Sequence, residues 1–302
     1  MEIIILSHLC TFLFSFAICK TYRQLVRKVE DVLSKPYGYL SSLWVASRAS
    51  ANVKMLKAVH VELLDRQVVE KYDTDTWQRQ AYESFGTILC ARDRTFPCIY
   101  GTKGYKANQL DFLFLESTNL SDMDVAKVAA KGIVEYHKGA STRGRNTSLV
   151  IMTPPPIVER SVDEYHKLFW SFLWRLRKLD PKPWPEHVPE NTSDAHWCFN
   201  FDDTQAFIAV LTPAHQQRLS RYAPNMCMIY QPRYLFDVLF TSEKNRASAT
   251  KTVRNLADKY DLIRHSPDIS DYALTGSTES RQYFLLDENE TAHCPYPSLE
   301  VE

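Results

Sequence analysis

The chain has 302 residues, 45% apolar and 24% charged, with 36 Lys and Arg against 36 Asp and Glu. That composition excludes wholesale disorder and a collagen-like fibre, and the zero net charge disfavours a protein that works by neutralising nucleic-acid phosphates. Glycine (8) is scarcer than proline (15), which argues against glycine-rich phosphate loops.

The chain opens on an apolar run, Ile3–Cys19, followed by Lys20, Arg23, Arg27 and Lys28. As a helix, its 17 residues reach about 26 Å, just short of a bilayer core. The run reads as a signal or a membrane anchor, with a buried or interfacial helix as the alternative. The basic residues behind it favour a body on the cytoplasmic side, anchored or free. Ser15-Phe16-Ala17 keeps a secretory route open, and the sequons at Asn119, Asn146, Asn191 and Asn289 matter only on that route. Residues 20–76 mix charge with aliphatics such as Leu56, Val59, Leu63 and Val68 at helical spacing, which predicts a helical extension.

The main domain is expected over 77–286, with a tail at 287–302. Trp77 to Leu89 is predicted as a helix with Trp77, Tyr82, Phe85 and Leu89 on one face. Phe96 to Gly101 is a short apolar run with a turn-forming end, read as extended. Leu110–Leu115 suits a buried strand. Ser121 and Asp124 cap a helix to about Lys138, stopped by Gly139. Ser148–Met152 is a strand ended by Thr153 and three prolines. Ser161 and Glu164 form a capping box before a helix with Val162, Tyr165, Phe169, Phe172, Leu173 and Leu176 inward.

Asp180 to Pro185 carries three prolines in five residues and reads as a rigid loop around Trp184. Cys198–Phe201 and Ala206–Leu211 read as a hairpin around Asp202-Asp203; neighbours on a strand face opposite ways, so these two aspartates are turn residues rather than an acid–base pair. Met226–Tyr230 and Gln282–Leu286 read as strands, and Arg233–Leu239 and Ala247–Leu262 as helices. The order predicts an α+β fold: a mixed β-sheet flanked by helices, one main domain with an N-terminal helical extension.

No glycine-rich nucleotide fingerprint, hydrolase elbow or paired-histidine zinc motif occurs, and the cysteines at 10, 19, 90, 98, 198, 227 and 294 make no Cys-x-x-Cys pair. Three features remain. His215, Arg218 and Arg221 sit within seven residues; on a helical turn they would share faces and clamp a carboxylate, or else form a solvated basic junction. Cys98 is either a soft ligand or a buried thiol. Trp170, Trp174, Trp184 and Trp197 wall a flat pocket or, more simply, fill the core.

Phe96-Pro97-Cys98-x-x-Gly101, the Asp180–Pro185 loop, Thr212-Pro213-Ala214-His215-x-x-Arg218-x-Ser220-Arg221, Gln231-Pro232-Arg233-x-x-Phe236-Asp237 and Gln282-Tyr283-Phe284 follow one another in that order. Together they resemble the YqcI/YcgG protein family. The resemblance implies a haem-dependent oxygenase of natural-product pathways that hydroxylates a guanidine or amine nitrogen of a small amino-acid-like substrate, fed by an external electron donor. It further implies haem held by Cys98, His215, Arg218, Arg221 and Trp184, with Cys98 or His215 on the iron. Some haem-binding relatives carry a histidine two residues beyond the cysteine; this chain has Tyr100 there. The alternative on the same fold is a non-catalytic small-molecule-binding or accessory protein. Nucleic acid is not expected as a partner; membrane contact, if any, falls to residues 3–19.

Overall fold

The computed structural model describes residues 45–271 and 277–294, so Ile3–Cys19 and residues 20–44 of the expected helical extension lie outside the described residues; of the rest, residues 45–58 and Arg66–Val69 are helical. Two compact units divide the chain, Met1–Ser50 and Ala51–Glu302. Of the first, residues 45–50 are described and are helical. The second holds the sheet. No described helix is long and apolar enough to cross a membrane.

The sheet has five strands in the order β1-β2-β5-β4-β3. β1 (Leu110–Phe114) runs parallel to β2 (Ser148–Met152), and the Met123–Arg143 helix makes the crossover. β2 is antiparallel to β5 (Cys227–Pro232), which is antiparallel to β4 (Thr204–Leu211), and β4 to β3 (Phe199–Phe201). β2 is apolar along its length because both of its faces are covered. Asp202 and Asp203 make the β3–β4 turn at φ of 52° and 58°, the positive values that a two-residue hairpin needs at both central positions. The fold is thus the α+β mixed sheet the sequence predicts.

Each face of the sheet has its own core. On one, Leu113, Leu149, Ile151, Ile208 and Met228 pack under the Met123–Arg143 and Val162–Lys178 helices. The predicted capping box starts the second of these: Ser161 Oγ accepts from Glu164 N–H, and the Glu164 carboxylate accepts from Ser161 N–H at 2.7 Å. Trp170 and Trp197 are buried here, Trp170 stacked on Tyr283. These two tryptophans are core, not pocket wall. On the other face the Trp77–Leu89 helix presses Tyr82, Phe85 and Leu89 against Phe112, Val150 and Met152.

Four local expectations are corrected. Gly139 does not stop its helix; open space surrounds it, so it costs only about 1 kcal/mol of propensity. The helix runs on to Arg143 and ends at Gly144, φ 128°, with Asp122 rather than Ser121 as its cap. The Phe96–Gly101 run is not extended: Cys98 caps an Ile99–Lys106 helix, its Sγ accepting from Gly101 N–H at 3.3 Å. His215 to Arg221 is not an α-helical turn but a loop closed by one 3₁₀ turn, Leu219–Arg221. Finally, Gln282–Leu286 is no strand. A short Ser280–Tyr283 helix leads into an irregular stretch, and Tyr283, Phe284 and Leu285 are buried in succession. Leu285 O accepts from the His215 ring instead of from a neighbouring strand.

Candidate functional site

Over β4 and β5, the second face lacks a tight cover. Gln205, Phe207 and Ala209 on β4, and Gln231 on β5, look into a cavity of about 710 Å³. This lies within the roughly 300–1,000 Å³ of small-molecule and cofactor sites. The Tyr234–Leu239 and Glu243–Tyr260 helices form its far wall. From the longer helix, Glu243, Arg246, Thr250, Val253 and Ala257 recur at three and four residues, so a single helical face lines the space. Its small side chains leave room that a leucine-rich stripe would fill.

One end of the cavity is built by Pro97, Cys98, Tyr100, Ser220 and Arg221. Cys98 is exposed on the cavity wall. Burial within the protein pushes its thiol up, while the Gly101 N–H and the Arg221 charge pull it back. Tyr100 packs edge-on against Phe240, ring centroids 5.3 Å apart.

The two arginines of the downstream loop have different situations. Arg218 is fully buried. Its Nε donates to Leu286 O (2.7 Å), Nη1 to Arg264 O (3.2 Å), and Nη2 to Glu288 O (3.2 Å) and Asn289 Oδ1 (2.8 Å). Asp261 lies 3.9 Å from Nη1. Arg221 is held by its backbone, which donates to Arg218 O and accepts from Thr212 N–H. Its Nε is buried without a hydrogen-bond partner. Burial lowers the Arg221 pKa, and Asp261 opposes that.

His215 does not face the cavity. Its Nε2 lies 2.9 Å from Leu285 O and its Nδ1 2.9 Å from Thr212 Oγ1. The carbonyl can only accept, so Nε2 carries the proton and Nδ1 accepts from the hydroxyl. Both ring nitrogens are engaged, and neither is free for iron. Burial drops its pKa to about 4, with the Leu285 bond and Asp287 working the other way. A histidine that must charge on unfolding destabilises the fold as pH falls from about 6.5 through 4. His215→Leu is therefore expected to lower stability at pH 7 yet flatten its decline between those values. Urea unfolding at several pH values checks this; an unchanged slope would contradict it.

Trp184 is also elsewhere. Its Nε1 donates to Val188 O at 2.8 Å, its ring lies 4.6 Å from the Arg177 guanidinium, and it packs on the opposite core. Of the five expected cofactor residues, the cavity gathers Cys98, Arg218 and Arg221, and leaves out His215 and Trp184.

The other end carries groups that sequence reasoning missed. Arg233 pairs with Glu279 at the base of the cavity. Burial pushes Glu279 up to about 7, against the pull of Arg233 and of the Tyr283 hydroxyl 3.0 Å away. Glu279 stands one helical turn before Tyr283, so the Gln282-Tyr283-Phe284 motif already pointed to its neighbourhood. Gln231 and Gln282 add amides there, and Arg246 meets Asp271 at 3.6 Å. Among the described residues, no group of three or more His, Cys, Asp or Glu is placed to hold a metal ion.

Comparison with known proteins bears out the family resemblance. YcgG of Bacillus subtilis (strain 168) is 34% identical over 227 residues, 74% of this chain and 89% of that protein. YqcI of the same organism is 28% identical over the same shares. A Streptomyces lavendulae protein named "Putative N(omega)-hydroxy-L-arginine synthase DcsA" is 28% identical over 242 residues, 78% of this chain and 90% of its own. No solved structure matches. The YqcI/YcgG family description matches residues 85–297, which include the whole sheet, both ends of the cavity and the arginine loop, and the chain belongs to that family.

Proposed function

We propose that this protein is a haem-dependent oxygenase that hydroxylates a guanidine or amine nitrogen of a small amino-acid-like substrate. One observation carries the reading: a cavity of about 710 Å³ presents a single exposed thiol beside a guanidinium whose Nε forms no hydrogen bond at one end, and amides with an ionisable carboxyl at the other. The name of the Streptomyces lavendulae relative supports the reaction class.

The residues present suit a porphyrin. It is flat and apolar with two anionic arms and brings its own metal ligands. Tyr100, Phe207, Phe236 and Phe240 would give it an apolar wall, Arg221 a cation, and Cys98 a soft ligand. Bound haem would supply oxygen activation, which a thiolate ligand favours by pushing electron density toward the iron.

The chain's own residues do the rest. Cys98 must lose its proton to ligate; burial raises its pKa, and the bond from Gly101 N–H together with the Arg221 charge works against that rise. Gln231, Gln282 and Glu279 face the opposite end, where a substrate can be oriented by polar contacts. With a pKa of about 7, Glu279 can hold or release a proton near neutrality. One atom of dioxygen enters the N–H bond; the other leaves as water with two electrons and two protons from an external reductant.

The test is an absorbance spectrum of protein expressed with a haem precursor, followed by mass spectrometry of L-arginine incubated with it, dioxygen and a reductant. A Soret band and a product heavier by one oxygen atom are expected. A colourless protein that haem does not stabilise against heat would overturn the proposal.

A further inference from the structure

We infer that Arg221 is the carboxylate anchor of the cavity, and that Arg218 is not. The inference deepens the reading above and rests on it for the choice of porphyrin as a probe. Arg218 has a defined partner on each nitrogen of its fork and joins the loop to residues 286–289. Arg221 lines the same cavity with a buried Nε that bonds nothing.

The nearby carboxylates have their own hydrogen-bond partners as well. Both guanidiniums have Asp261 as their counter-ion. Asp261 is already occupied: one oxygen accepts from Ser220 N–H at 2.6 Å, the other from Ser220 Oγ at 3.0 Å. The next carboxylate, Asp287, spends both oxygens on the backbone N–H groups of Gln216, Gln217 and Arg218. Neither carboxylate hydrogen-bonds the Arg221 Nε, which is left as a donor without an acceptor on a residue that lines the cavity. The Nε–H edge of a guanidinium is one of the two that receive a carboxylate side-on through paired donors. Backbone bonds to Arg218 and Thr212 fix the point from which the Arg221 side chain reaches the cavity. The occupant is therefore an apolar body with a carboxylate at one end, which fits either a propionate arm of the porphyrin or the α-carboxylate of the substrate.

The experiment separates these two sources. Metal-free protoporphyrin IX and its dimethyl ester are titrated by fluorescence, and L-arginine and L-argininamide by thermal shift, against the full-length wild type, Arg221→Met and Arg221→Lys. In one series the wild type should prefer the acid by roughly tenfold to a hundredfold, as a charge-assisted pair is worth. Arg221→Met should erase that preference and Arg221→Lys restore part of it. A preference in the porphyrin series assigns the anchor to a propionate; one in the amino-acid series assigns it to the substrate. Equal binding of acid and neutral analogue in both series, or a preference that survives Arg221→Met, overturns the inference. Should Arg221→Met fail to fold, phenylglyoxal mapping of the wild type replaces it: the acid must protect Arg221, and no protection overturns the inference. The porphyrin arm needs no iron, so a missing Soret band beside a clear acid preference defeats the haem reading alone. A Soret band without acid preference defeats the anchor alone.

Discussion

Arg218→Met is expected to cost about 3–5 kcal/mol of folding stability, the range for breaking one partner out of a buried charged network. Methionine matches the stem but none of the donors. The change strands the carbonyls of Arg264, Leu286 and Glu288 in the interior and leaves Asp261 without its nearest cation. Arg218→Lys should recover little, because a point charge cannot replace a planar fork that reaches four acceptors. Chemical denaturation measures the loss. A shift below about 1 kcal/mol, typical of exposed ion pairs, would mean that these bonds do not hold the loop to the chain end.

Cys98→Ala should have the opposite profile: little effect on the fold and, on the haem reading proposed above, a large one on the cofactor. Cys98 caps the Ile99–Lys106 helix through one weak sulfur bond, so its loss should cost no more than about 1 kcal/mol. The haem spectrum, in contrast, should lose its thiolate character and the protein its N-hydroxylation, because no second soft ligand is seen to face the cavity among the described residues. Reconstitution followed by spectroscopy reads this directly. A spectrum identical to wild type would move the iron away from Cys98 and sink the assignment of that thiol.

Much of the architecture was legible in the sequence, and the reason is locality. Buried strands such as Ser148–Met152 show as apolar runs, the Ser161 cap shows in three residues' spacing, and the Asp202-Asp203 turn between two runs gives a hairpin. The site was legible only in part, because its bonds span long separations. His215 and Arg218 look like two members of one helical face, yet the acceptors that occupy them lie about 70 residues away. No periodicity records such a pairing. The Glu243–Tyr260 helix shows a further gap: the sequence marks a helix there, while nothing in its polar pattern marks the face that lines the cavity. Pro97-Cys98 was misread because a thiol seldom caps a helix, and an apolar tripeptide before a glycine resembles a strand end.

The bonds from the arginine loop to residues 285–289 also govern the order in which the molecule can be completed. During synthesis all five strands are available once Pro232 has left the ribosome, and the sheet can assemble on the nascent chain. The floor of the cavity cannot set until Leu285 to Asn289 have followed, since those residues accept from His215 and Arg218 and supply the carboxylate that gathers three backbone N–H groups. Until Leu285 to Asn289 emerge, His215 and Arg218 lack the acceptors that hold their loop in place, and the unfinished site is open to non-native contacts.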